Sequence, residues 1–261
     1  MHAREDSVSN ALVESFSRWN RHPRKWDAPF VFDMLLRRYR EARNRKRLLW
    51  PAIETDHVEI LSDGEFRRSV AQVNRHTILD VARLANLWSL ARLTGPGIFL
   101  EVGSYRGGSA LHICNAIEAR AASFYCFDPF EKGGFETLTE RDQLFKVSDF
   151  QMTQYEAVVR LLSCKPNAKV IQGFFPAAAE NLDLRDIAFC HLDVDVYAAT
   201  KASLEYLASR LAKRSIIVLD DVNRDVKGVD DALAEFLANH PSFVFIPMFP
   251  SQGALLSKSL W

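Results

Sequence analysis

The sequence is short of cysteine, of net charge and of long apolar runs, and each shortage removes a class of protein. Four cysteines stand in 261 residues, Cys114, Cys126, Cys164 and Cys190, with no Cys-x-x-Cys pair. That argues against a zinc ribbon or a disulfide frame, and leaves reduced thiols in or beside apolar runs. Lys plus Arg is 33 and Asp plus Glu is 33, a formal net charge of zero. Such a balance gives no electrostatic case for a nucleic-acid partner. No apolar run approaches the roughly 20 residues of a membrane span, and Met1-His2-Ala3-Arg4-Glu5-Asp6 has no apolar signal core. The expectation is a cytoplasmic globular chain with no membrane and no nucleic-acid partner. Three signatures are also missing. No Gly-x-Gly-x-x-Gly marks a dinucleotide site, and no Gly-Lys-Ser or Gly-Lys-Thr closes a phosphate loop. Ser104 and Ser109 lack a His and acid arrangement for a hydrolase.

What is present is an alternation of short apolar strands and helices. Residues 1 to about 75 are polar and helix-leaning. Phe32, Leu35, Leu36 and Tyr39 have helical spacing within Phe30 to Trp50, opposite an Arg-rich face. That face reads as solvated, with an acidic partner or a partner subunit as the alternatives. Ile53 to Phe66 reads as loop. Thr77 to Leu93 reads as a mostly buried helix with a narrow stripe of Asp80, Arg83, Asn86, Ser89 and Arg92. It leaves room for packing on a sheet or on a second copy, hence a homo-oligomer. Strands are predicted at Ile98 onward, Phe124 to Phe127, Lys169 to Gln172, Ile187 to Leu192 and Ser215 to Leu219. Helices follow at Ala110 to Ile117, Phe150 to Ser163, Pro176 to Leu182, Ala198 to Leu211 and Val226 to Asn239. Phe243 to Phe249 and Ala254 to Ser257 read as a closing antiparallel hairpin. The pattern predicts an α/β, doubly wound, mostly parallel, seven-stranded Rossmann-like sheet. Residues 1–94 form a helical N-terminal region and residues 95–261 the catalytic domain.

The chemistry falls at predicted strand ends. Glu101-Val102-Gly103-Ser104-Tyr105-Arg106-Gly107-Gly108-Ser109 joins a strand to a helix through a glycine turn, a place for a nucleotide-like cofactor. Asp128 ends the second strand about 20 residues on, where an acid accepts ribose hydroxyls; its plainer role is to cap a turn before Pro129. Glu101 close to the turn suits a positively charged cofactor such as S-adenosylmethionine, although Arg106 also lies there. Asp193, Asp220 and Asp221 end the fourth and fifth strands. Unpaired, they would repel one another, and Mg²⁺ would resolve this through oxygen ligands. The alternative has Asp221 capping the next helix and Asp193 accepting from backbone amides. Asp195 is the weaker member of the set. His191 shares a strand face with Asp193, and either sits satisfied in the core or orients that carboxylate. His112 reads as structural.

At these residues the chain resembles the class I S-adenosylmethionine-dependent methyltransferases. The turn from Glu101 to Ala110 is similar to the cofactor loop of the metal-dependent catechol O-methyltransferase type. His191-Leu192-Asp193-Val194-Asp195-Val196-Tyr197, Ile217-Val218-Leu219-Asp220-Asp221-Val222 and Gly173-Phe174-Phe175 resemble the macrocin O-methyltransferase group, which methylates sugar hydroxyls of natural products. Val194 departs from that group, which carries glycine there. The resemblance implies that Glu101, Gly103, Ser104, Tyr105, Gly107, Gly108 and Ser109 line the methionine and ribose side. It implies Asp128 on the ribose, and Pro129, Phe130, Gly173 and Phe174 near the adenine. Asp193, Asp220 and Asp221 would bind Mg²⁺, with Asp193 also the catalytic proton acceptor. The expected reaction is methyl transfer to a hydroxyl of a small molecule, a sugar or a vicinal diol. An NAD(P)-dependent oxidoreductase and a non-catalytic binding module are the alternatives.

Overall fold

The computed structural model describes residues 60–120, 122–222 and 226–259. The expected helix over Phe30 to Trp50 lies outside them. The described residues belong to one compact unit that begins at Val58.

Helix α1 spans Gly64–Val73, where the sequence reads partly as loop. Its start is set by Asp63, whose carboxylate accepts from the amides of Glu65 at 2.7 Å and Phe66 at 3.2 Å. Phe66, Ser69 and Val73 face inward. Helix α2 spans Val81–Leu93 and starts later than the apolar pattern implies, because Asp80 caps it through the Arg83 amide at 2.9 Å.

Seven strands then form one sheet. They are β1 (Ile98–Val102), β2 (Phe124–Asp128), β3 (Ala168–Gln172), β4 (Ile187–Leu192), β5 (Leu211–Leu219), β6 (Phe243–Met248) and β7 (Gln252–Ser257). Between them lie α3 (Gly108–Ala116), α4 (Tyr155–Leu162), α5 (Tyr197–Ala208) and α6 (Lys227–Asn239). The strand order is β3-β2-β1-β4-β5-β7-β6. The first five strands run parallel, and β7 runs antiparallel to both β5 and β6. β5 begins four residues before its apolar run, because exposed Lys213 and Arg214 hide its start. The segment read as a helix over Pro176 to Leu182 is a single 3-10 turn, Ala177–Ala179.

Strand alternation divides the core in two. Phe99, Phe189, Ile216 and Val218 point to one face, where Phe66, Leu84, Leu87, Trp88, Leu111 and Val158 of α1 to α4 cover them. Leu100, Val102, Leu192, Ile217 and Leu219 point to the other, under Leu204, Leu207, Leu233 and Phe236 of α5 and α6. α1 and α2 thus share a core with the sheet.

His112 on α3 is the polar centre of the first face. Its Nε2 lies 3.0 Å from the Leu84 carbonyl, so that nitrogen carries the proton, and Nδ1 accepts from the Ser69 hydroxyl at 2.7 Å. Trp88 and Phe66 pack on the ring. Burial pushes its pKa down to about 4. Between that value and the ordinary 6.5, the unfolded chain binds the proton and the folded chain does not. His112 therefore removes stability as pH falls through this window, by up to roughly 3 kcal/mol. In urea unfolding at pH 7 and pH 4.5, His112→Gln should show a smaller drop between the two pH values than the parent. An equal drop would show that His112 is not the group responsible.

Candidate active site

Topology fixes where the site can be. From β1 the sheet grows one way through β2 and β3, then the chain crosses back to β4 and β5. A crevice opens at the carboxyl ends of β1 and β4, where the order reverses. A cavity of about 390 Å³ lies there, within the usual size of small-molecule sites.

Main-chain bonds join the strand ends. The Gly103 amide donates to the Phe127 carbonyl at 2.9 Å, the Asp193 amide to Val102 at 2.9 Å, and the Asp220 amide to Leu192 at 3.0 Å. Gly103 has φ +85°, and a Cβ added to it would sit 1.8 Å from the Asp193 carbonyl oxygen. Only glycine allows the cofactor turn this close to the acidic strand end. Gly107 caps α3 with φ +79°.

Asp128 organises the turn. Its Oδ2 accepts from the amides of Ser104 and Tyr105, both at 2.9 Å, and its Oδ1 from Phe130 at 2.7 Å. The capping role and the cavity-facing position coexist, since Oδ1 accepts a single amide and keeps a second lone pair. Burial lifts its pKa despite these donors. The Ser104 hydroxyl turns inward onto Cys126 and the Phe127 carbonyl.

The sheet period places Glu101, His191, Asp193 and Asp220 on the face covered by α2. Glu101 and His191 are register partners on β1 and β4. His191 Nδ1 lies 2.9 Å from Glu101 Oε1, and its Nε2 lies 3.7 Å from Asp220 Oδ2. Burial works against charging this imidazole, yet the two carboxylates raise its pKa to about 10. His191 thus stands between two acids, bonded to Glu101 through Nδ1 and facing Asp220 through Nε2. Arg83 reaches the same acids from α2. Its Nη1 lies 3.2 Å from each Asp220 oxygen and 3.6 Å from Asp221 Oδ1. Burial pushes Asp220 up, but His191 and Arg83 hold it below the usual carboxylate range. Asp193 and Asp195 go the other way. Burial first, then repulsion within the cluster, lifts both well above that range.

Among the described residues, two sets of three side chains bring ligand atoms within 4.8 Å of one another: His191, Asp193 and Asp220, and Asp193, Asp195 and Asp221. The first set adds an imidazole to two carboxylates. The second is all oxygen and suits a hard divalent cation. The expected Asp193, Asp220 and Asp221 are divided between the two sets, with Asp193 common to both and Asp195 joining the second.

Of the expected site residues, Gly103, Ser104, Tyr105, Ser109, Asp128, Pro129, Phe130, Gly173, Phe174, Asp193 and Asp221 line the cavity. Four do not. Glu101 is fully buried beneath it, with Oε2 lacking a hydrogen-bond partner. Asp220 lies under Arg83. Gly107 and Gly108 serve packing, since a Cβ would meet Val158 at 2.8 Å or the His76 backbone at 2.5 Å. The sequence reading missed His76, Ile78, Phe150 and Val196 in the lining, and Arg83 as the partner of the acids. A charged residue on an otherwise apolar helix was the available signal for Arg83. Phe150 sits in a loop without periodicity, which offers none.

Residues 100–222 match a family model described as a methyltransferase domain. No curated protein matches the chain. Solved structures with a similar fold include the O-methyltransferase NovP, with a TM-score of 0.61 and 20% identity over 70% of this chain and 82% of NovP. CalS11, a calicheamicin methyltransferase, has a TM-score of 0.56 and 18% identity over 74% of this chain and 91% of its own. The SAH-bound methyltransferase PaMTH1 of Podospora anserina has a TM-score of 0.50 and 13% identity over 78% and 97%. At these identities the likeness is one of fold. Residues 100–222, from β1 through the acids that follow β5, thus resemble a methyltransferase domain, and the sheet has the Rossmann-like fold of solved methyltransferases.

Proposed function

We propose that the protein transfers a methyl group from S-adenosylmethionine to a hydroxyl of a small molecule, a sugar or vicinal diol of a natural product, with Mg²⁺ as partner. One observation carries this reading: the glycine turn with Asp128 and the acidic set of Asp193, Asp195 and Asp221 open onto the same cavity. NovP is an O-methyltransferase and PaMTH1 was solved with SAH, the product of that cofactor, which supports the donor and the acceptor atom.

The residues divide the work. Gly103, Ser104 and Tyr105 shape the turn that receives the methionine end, and Asp128 holds that turn while facing the ribose. Pro129, Phe130, Gly173 and Phe174 wall the adenine. Asp193, Asp220 and Asp221, with Asp195 beside them, would hold the cation, which when bound lowers the pKa of a hydroxyl. Asp193, at the cavity wall, takes the hydroxyl proton. The acceptor oxygen then attacks the methyl carbon, the carbon–sulfur bond breaks, and S-adenosylhomocysteine leaves. Holding both reactants in one cavity supplies much of the acceleration.

The test is transfer of labelled methyl from S-adenosylmethionine to a panel of sugar nucleotides, glycosides and catechols, with and without EDTA. Label should appear in an acceptor, and EDTA should reduce it at least tenfold, in line with several kcal/mol of charge stabilisation by a metal. Undiminished transfer in EDTA would remove Mg²⁺ from the mechanism. Binding of NAD(H) in place of S-adenosylhomocysteine would overturn the donor.

A further inference from the structure

The stretch of residues 129–154 between β2 and α4 buries one carboxylate, Asp142, at 4% exposure, although Arg141 and Gln143 beside it are exposed. Its Oδ1 accepts from the Tyr197 amide at 2.8 Å, and its Oδ2 from the Thr139 amide at 2.8 Å and hydroxyl at 2.7 Å. Tyr197 is the first residue of α5, and Val196 before it offers no side-chain cap. Asp142 therefore caps α5 from a distant loop, where a carboxylate suits both the orphan amides and the helix dipole. Gly228 in the first turn of α6 makes room for this. A Cβ there would stand 2.2 Å from Asp142 Oδ1 and 2.8 Å from the Tyr197 nitrogen. Arg141 adds a second tie, with its guanidinium 4.0 Å from the Tyr197 ring centroid and its Nε 3.1 Å from Asp231 of α6. The stretch walls the cavity on either side of this knot, through Gly133 to Thr137 before it and Phe150 after it. The two limbs are joined. The Phe135 amide donates to the Val147 carbonyl at 3.1 Å, the Phe135 ring meets Phe145 and Phe150, and Phe150 meets Tyr105 of the cofactor turn.

We infer that Asp142 is a positioning residue: by capping α5 it fixes the 133–150 wall opposite Ala198, Ala199 and Ala202 of that helix, and so holds Phe135 and Phe150 in place for S-adenosylmethionine. The inference rests on the reading of this cavity as the cofactor site and adds a residue that never enters it. Gly228 is its counterpart. The backbone there is helical, so space rather than conformation demands glycine. Without the cap, cofactor binding has to order a freed wall, and affinity falls by that cost.

The test is the affinity of the full chain for S-adenosylhomocysteine, by isothermal titration calorimetry well below the melting point of every variant. There each is folded by circular dichroism, and a loss of global stability alone leaves affinity unchanged. D142A should bind on the order of tenfold more weakly, the cost of ordering the freed wall. D142N keeps an oxygen for the Tyr197 amide and can donate to the Thr139 hydroxyl, so it should stay within about threefold of the parent. G228A keeps the carboxylate but pushes it off Tyr197, and should weaken binding as D142A does. In D142A/G228A the losses should not add, since both changes break one contact. Affinity of folded D142A within about twofold of the parent, or additive losses in the double variant, overturns the inference and leaves the cofactor site standing. If D142A does not fold, G228A decides: unchanged affinity overturns the inference, and weakened affinity supports it. Absence of S-adenosylhomocysteine binding by the parent overturns the reading of the cavity and the inference with it.

Discussion

Asp193→Asn is expected to lower methyl transfer by on the order of 10²–10⁴-fold, the range lost with a general base. The change keeps side-chain volume and removes the charge. Asn can neither take a proton from the acceptor hydroxyl nor offer an anionic oxygen to a cation. Cofactor binding should survive, because the turn that receives it is held by Asp128 through the Ser104 and Tyr105 amides. Stability should hold or rise. Asp193 stands among acids in a buried place, where burial and repulsion already disfavour its charge. The expected outcome is a folded, S-adenosylhomocysteine-binding and nearly inactive protein. Activity within threefold of the parent would remove Asp193 from the chemistry.

The second large effect is structural. Gly103→Ala should cost more than about 3 kcal/mol, as severe backbone clashes do, or leave no folded protein. The new Cβ would lie 1.8 Å from the Asp193 carbonyl oxygen and 2.7 Å from its carbon, at a φ of +85°. Neither backbone can yield, because the Gly103 and Asp193 amides are committed to Phe127 and Val102. Gly64→Ala is the control. There a Cβ meets only the Arg68 Nη1 at 3.5 Å, and the residue is the first of α1. It should stabilise by roughly 0.5–1 kcal/mol. Urea unfolding of both variants checks the pair; equal, small effects would show that the close approach is not rigid.

The parallel sheet was legible because β1, β2, β4 and the inner half of β5 are buried on both faces and read as unbroken apolar runs. β4 matches its expected range, Ile187–Leu192. Helix α1 was not legible: only Phe66, Val70, Ala71 and Val73 are apolar within it, and its clearest mark is a single capping aspartate. The acids at strand ends could be placed on one edge from sequence, since a parallel sheet brings its carboxyl ends together. Their division of labour could not. Which acid meets Arg83 depends on α2 lying over the β5 face, a packing fact that no local pattern encodes. His191 shows the same limit. Its face followed from the period of the strand, but its partners are Glu101 across the ladder and Asp220 beyond it.

Among the described residues, seven that are not glycine have positive φ, and Tyr105, Phe130, Phe150, Asp195 and Asp221 of these line the cavity. Left-handed backbone costs an L-residue roughly 1–2 kcal/mol, and such positions gather where a ligand site is held in shape by its surroundings. The scaffold therefore spends part of its stability at the cavity wall. Anyone seeking a hardier version of this protein by placing glycine at left-handed positions would be drawn to these five first. There, relief of strain would loosen the walls that hold the reactants. Asp186 and Arg214, with φ of +57° each and away from the cavity, are the places where the same substitution leaves the site alone.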